Sequence, residues 1–109
     1  MIDDLPLNSA DENLKQHLRG ETAPMSWADL APFFARGQLI VVSPLLDLLD
    51  VAVAMSRDRR ESFERWMASG EVKLVDDALA TIWTDQPPTL LAVVIAPWVL
   101  VQTLPAQSH

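Results

Sequence analysis

Residues 45–55 read Leu-Leu-Asp-Leu-Leu-Asp-Val-Ala-Val-Ala-Met, an apolar stretch that any fold of this chain must find a way to cover. Ser43-Pro44 stands in front of it, an N-cap residue followed by proline at the first helical position. The pattern predicts a helix from Leu45 to about Met55. Only Asp47 and Asp50 interrupt it, and at i, i+3 they share one narrow face with Ala54. A helix apolar on nearly every side is either the central strut of a fold or covered by a partner. Half of the 109 residues are apolar and four are Trp, so one domain of this size has the material to cover such a helix itself.

The flanking signals describe what does the covering. Residues 1–8, with Pro6 and Asn8 and no periodicity, are expected to form a flexible tail. Ser9 or Asn8 caps a first helix to about Leu18-Arg19, with Leu14 and Leu18 as its apolar stripe and Asp11 and Glu12 at its positive end. Ser26 caps a second helix, with Asp29 three places on, and Trp27, Leu30, Phe33 and Phe34 recur at helical spacing. Gly37 ends that helix, and Leu39-Ile40-Val41-Val42 follows as a short buried strand. Asp58 and Glu61 suggest a capping box for a fourth helix, with Phe63, Trp66 and Met67 on its inner face and Gly70 closing it. Residues 72–75 read as a strand, Asp76 as an N-cap, and residues 78–83 as a short helix. After the rigid Gln86-Pro87-Pro88, residues 90–101 form a β-rich run that bulges or turns at Pro97.

At an offset of 33, Phe34-Ala35-Arg36-Gly37-Gln38-Leu39-Ile40-Val41-Val42-Ser43 aligns with Met67-Ala68-Ser69-Gly70-Glu71-Val72-Lys73-Leu74-Val75-Asp76. Both read helix end, glycine, strand, cap. The expected fold is α+β: about five helices around a small three- to four-stranded sheet. A single domain spans residues 9–102, and residues 103–109 form a second flexible tail.

Composition removes whole chemistries. With no Cys there is no disulfide, thiolate metal site or cysteine nucleophile. Three glycines cannot build a dinucleotide fingerprint, and no phosphate loop, nucleophile elbow or zinc-helix motif occurs. Net charge is −7. The only basic cluster, Arg57, Arg59, Arg60 and Arg65, is interleaved with Asp58, Glu61 and Glu64, so no nucleic-acid partner is expected. The apolar runs are broken by Pro44, Asp47, Asp50 and Pro97 and are too short to span a bilayer, so no membrane partner is expected either. The acidic N-terminus lacks the order of a signal peptide, which points to the cytoplasm.

His17 reads as a surface residue of the first helix, and His109 ends the chain. Asp47 and Asp50 are the best acid pair, with Arg36 or Arg57 as a partner across the fold. Their bland reading is the polar edge of a buried helix. Trp27, Trp66, Trp83 and Trp98 all sit inside apolar patterns, which favours core over a stacking platform. Trp98, after Ala96-Pro97, is the one placed to reach an exposed bend. Arg36, Asp47, Asp50 and Trp98 are therefore the candidate cleft or interface residues, with no catalytic residue, no cofactor and no metal site assigned.

Phe34-Ala35-Arg36-Gly37, then Val42-Ser43-Pro44 leading to Leu46-Asp47-Leu48 and Val51-Ala52, then Ala96-Pro97-Trp98-Val99-Leu100-Val101-Gln102, resemble a bacterial family. It is the one catalogued as domain of unknown function 2288. The resemblance covers about residues 14–102, and the final run is its most specific part. It implies a short, stand-alone bacterial protein and carries over no catalytic or binding residue. The residues themselves favour a small binding or adaptor protein that docks to another protein or to itself, as monomer or homodimer. The alternative is a small enzyme or ligand-binding protein with a cleft of Asp47, Asp50 and Arg36.

Overall fold

The structure, a computed structural model, describes residues 9–104. In chain order the elements are α1 (Ser9–Glu21), β1 (Ala23–Ser26), α2 (Trp27–Ala35), β2 (Leu39–Val42) and α3 (Leu48–Ser56). Then come α4 (Arg60–Ser69), β3 (Val72–Leu74), α5 (Asp77–Asp85), β4 (Thr89–Ile95) and β5 (Trp98–Thr103). The five strands make one mixed sheet in the order β1-β4-β5-β2-β3, one strand more than the largest sheet expected. β2 and β5 run parallel, and every other pair is antiparallel. The fold is α+β and a single domain. The expected tail at 1–8 and residues 105–109 of the one expected at 103–109 lie outside the described residues, while β5 carries the sheet to Thr103, one residue past the expected boundary.

Strand alternation splits the apolar side chains between two faces. Ile40, Val42, Val72, Val93 and Leu100 face α1, α3 and α4. Leu39, Leu90, Ala92, Val99 and Val101 face α2 and α5. The helix that dominates the sequence is indeed the strut of the first layer: Leu48, Leu49, Val51, Ala52, Val53 and Ala54 are all buried. Its start differs from the expectation. Ser43-Pro44 makes a turn, with Leu46 N donating to Ser43 O at 3.0 Å, and the helix begins at Leu48. Asp47 is its N-cap, accepting from Leu49 N at 2.8 Å. The aspartate wins because it places the first apolar pair of the helix, Leu48 and Leu49, directly in the core.

The run at residues 90–101 does turn at Pro97. Ile95 pairs with Trp98 across a tight hairpin, and the Ala96–Pro97 peptide is cis. The expected capping box at Asp58 is absent: Asp58 has a positive φ of 56°, and Arg59 is an N-cap without a side-chain cap bond. Along α4, Phe63 and Trp66 pack on the first core, but Met67 is exposed. This helix packs beside α3 and the edge strand β3, where the cover runs out. β1 was not foreseen at all. It is a four-residue edge strand holding Pro24, too short for any period to show.

The two glycine junctions share one geometry. Gly37 N donates to Phe34 O and Gln38 N to Phe33 O; Gly70 N donates to Met67 O and Glu71 N to Trp66 O. Their φ values are +72° and +83°. A Cβ at either position would meet nothing within 4 Å, so the backbone alone sets the penalty. Gly37→Ala and Gly70→Ala are each expected to cost about 1 kcal/mol. Urea midpoints measured for the two variants check this, and unchanged midpoints would refute it.

Candidate functional site

Asp47 and Asp50 project from the first turn of α3, and the cation that meets them is Lys15 of α1. Its Nζ lies 2.8 Å from Asp50 Oδ1 and 3.5 Å from Asp47 Oδ2. The hydrogen bond to Asp50, with both negative charges nearby, holds the Lys15 ammonium above its ordinary pKa despite its burial. Arg36 is not part of this group. It ends α2, whose side chains pack on the opposite face of the sheet, and its guanidinium lies over the Phe33 ring at 5.6 Å. The expected Asp47–Asp50–Arg36 cleft is thus not assembled, because the sheet separates the helices that carry its members.

Beside Lys15 stands a pairing that the sequence did not suggest. Asp11, buried at 4% exposure, receives Arg59 Nη2 at Oδ2 (2.7 Å) and Arg57 Nε at Oδ1 (3.2 Å). One carboxylate on α1 thereby fastens both ends of the three-residue link between α3 and α4. Its hydrogen bond from Arg59 is the largest effect on its acidity. Together with Arg57 it outweighs burial and keeps the carboxyl below the ordinary aspartate range. A groove of about 390 Å³ runs along this contact, lined by Lys15, Asp50, Val53, Arg59 and Trp66.

Trp98 lines a separate pocket of about 270 Å³ at the hairpin tip. Met55, Phe63, Ile95 and Trp98 give it an apolar wall, and Asp58, Arg59 and Arg60 stand around it. Arg59 lines this pocket and the groove. The other tryptophans behave differently. Trp27 and Trp83 are buried edge to face at 5.4 Å in the second core, and Trp66 packs against Phe63. His17 is exposed and sits 3.3 Å from Glu21; His109 lies outside the described residues. Among the described residues no three of His, Cys, Asp and Glu converge to hold a metal ion. No helix among them is long and apolar enough to cross a membrane.

A third surface lies where β2 leads into α3. Gln102 of β5 donates through Nε2 to Ser43 O (2.8 Å) and Leu46 O (2.7 Å), and Leu45 N donates to Ser43 Oγ (3.1 Å). The loop is therefore tied down on both sides of Leu45. Yet Leu45 is 86% exposed. It borders a groove of about 590 Å³ lined by Leu46, Leu48, Leu49, Leu91 and Arg19.

Fold and surface together define a small α+β protein in which Asp11, Lys15, Asp47, Asp50, Arg57 and Arg59 are paired between helices and whose recesses mix apolar and charged walls. The chain belongs to the family described as protein of unknown function (DUF2288), whose model matches residues 13–103. Among solved structures it is similar to the NMR solution structure of PA1075 from Pseudomonas aeruginosa. The two are 41% identical, with a TM-score of 0.75 and 96% of each chain covered. No curated protein matches the chain.

Proposed function

We propose that this is a small cytoplasmic binding or adaptor protein that docks to another protein through the loop carrying Leu45. The exposure of Leu45 on a fastened loop carries the reading. A single exposed leucine is unremarkable on most surfaces, but this one sits on a fastened loop and borders a groove that combines Leu46, Leu48, Leu49 and Leu91 with Arg19, Thr22, Asp47 and Gln102. A rigid anchor loses little conformational freedom on docking. The partner is a protein offering an apolar cleft to Leu45.

The alternative of an Asp/Arg cleft gains no support, since Asp47 and Asp50 are engaged by Lys15. Nor does nucleic acid enter the proposal, because two of the four clustered arginines serve Asp11. Burying one leucine side chain is worth about 2 kcal/mol, or about thirtyfold in Kd. Leu45→Glu is therefore expected to lose the partner that the wild-type chain captures from its native cell, while its urea midpoint stays unchanged. Light scattering over a range of concentrations shows whether that partner is a second copy. Equal capture by the wild-type and Leu45→Glu chains would remove the loop from the interface.

A further inference from the structure

The pocket beside Trp98 is a second recess that uses the same α3, β4 and β5 as the Leu45 groove, but through different residues, and adds α4. Its wall is apolar and partly aromatic: Met55 from α3, Phe63 from α4, and Ile95 and Trp98 from the two sides of the β4–β5 hairpin. Phe63 is braced edge to face against Trp66 at 5.5 Å, so that ring is supported from behind. Trp98 is half-buried and lines the pocket. Volume and lining suit one flat apolar group rather than an extended chain.

Charge selects among such groups. Arg59 is positioned by its 2.7 Å bond to the buried Asp11. A guanidinium has five N–H donors, and that bond uses one. Arg60 is different: its side chain is 80% exposed, and its ion pair is a 3.7 Å contact to Asp58, which is exposed to the same extent. Such a pair contributes almost nothing, so a ligand carboxylate can take Arg60 over at little cost. Arg59 already has Asp11 as its counter-charge, so Arg60 is the cation open to a ligand, with the remaining N–H donors of Arg59 beside it.

We propose that this pocket binds a small carboxylate carrying a planar apolar body, with the ring against Trp98 and Phe63 and the carboxylate on Arg60. Arg59 is the pre-positioned second cation. The ligand class follows from the pairing of an aromatic wall with guanidinium groups, a combination that suits planar, bidentate recognition.

Indole-3-acetate is a suitable probe, with indole-3-acetamide as its neutral match. In a titration of the isotope-labelled full chain followed by NMR, indole-3-acetate is expected to shift the Trp98 indole N–H and the Phe63 and Ile95 amides saturably. The expected Kd is about 1 mM. The buried Trp27 and Trp83 serve as internal controls that stay in place. Indole-3-acetamide is expected to bind about threefold more weakly, and Arg60→Gln to weaken the acetate by the same factor while leaving the amide unchanged. Arg60 is exposed, so this variant retains the fold. Equal binding of acetate and amide, undiminished binding by Arg60→Gln, or shifts confined to the Leu45 groove would each overturn the proposal.

Discussion

Leu48→Asp is expected to leave the chain unfolded at neutral pH, whereas Leu45→Asp, three residues earlier, is expected to fold normally. The two leucines belong to one apolar run in the sequence but to opposite environments in the structure. Leu48 is 4% exposed inside the first core. An aspartate there loses the packing of a buried leucine, about 2–5 kcal/mol, and must also desolvate a carboxylate or take up a proton. The combined cost is comparable to the whole stability of a domain this size, about 5–15 kcal/mol. Leu45 faces water, so its replacement stays within about 0.5 kcal/mol. Far-UV circular dichroism and amide dispersion in NMR distinguish the two variants. A well-folded Leu48→Asp monomer, obtained from a wild-type dimer, would mean that α3 is an interface rather than the central strut.

That contrast marks where the sequence is legible. Most local signals that act within four residues are read correctly, the capping box at Asp58 being the exception: Ser26 caps α2 through Asp29 N, Asp76 caps α5 through Leu79 N, and both glycines take positive φ. Each of these depends on a single turn of backbone and one side chain. The start of α3 is misjudged because two valid start signals, Ser43-Pro44 and Asp47, stand four residues apart. The choice between them lies in the core and in Gln102, a residue 56 positions from Leu46. The strand β1 exists because β4 offers an edge, a fact that no property of Ala-Pro-Met-Ser conveys.

The charged site shows the same division more sharply. Asp47 and Asp50 are recognisable as a pair, but their cation is 35 residues from Asp50, and the residue favoured for the role, Arg36, lies across the sheet. Opposite charges are abundant in this chain, and only topology decides which of them meet. For Asp11 a usable signal does exist. It stands three and seven residues before Leu14 and Leu18, in line with the apolar stripe of α1 rather than on its wet side. A carboxylate on a buried stripe needs a cation brought to it, and the arginines flanking Asp58 are the densest supply in the chain.

Asp11→Asn is accordingly the second substitution expected to have a large effect. The amide keeps the shape but lacks the charge that Arg57 and Arg59 share, leaving two guanidinium groups around a largely buried neutral side chain. The link between α3 and α4 then keeps only its backbone hydrogen bonds to Val53, Ala54 and Met55 and loses the ionic tie at both ends, and Arg59 loses the charged partner that positions it beside the Trp98 pocket. At neutral pH the variant should unfold at clearly lower urea than wild type. A control at the capping-turn carboxylate Asp77, which is exposed, should shift little. The pH dependence follows from the lowered folded-state acidity of Asp11. A carboxyl that binds its proton more weakly when folded than when unfolded stabilises the fold at every pH above its ordinary value of 3.8. That contribution fades as the pH drops below 3.8 toward the folded-state value, since the unfolded chain takes up the proton first. Wild type and Asp11→Asn should therefore differ most near neutrality and converge as the solution is acidified. A gap in urea midpoint that stays constant from pH 7 to pH 3 would show that the carboxylate's charge is not what holds the link.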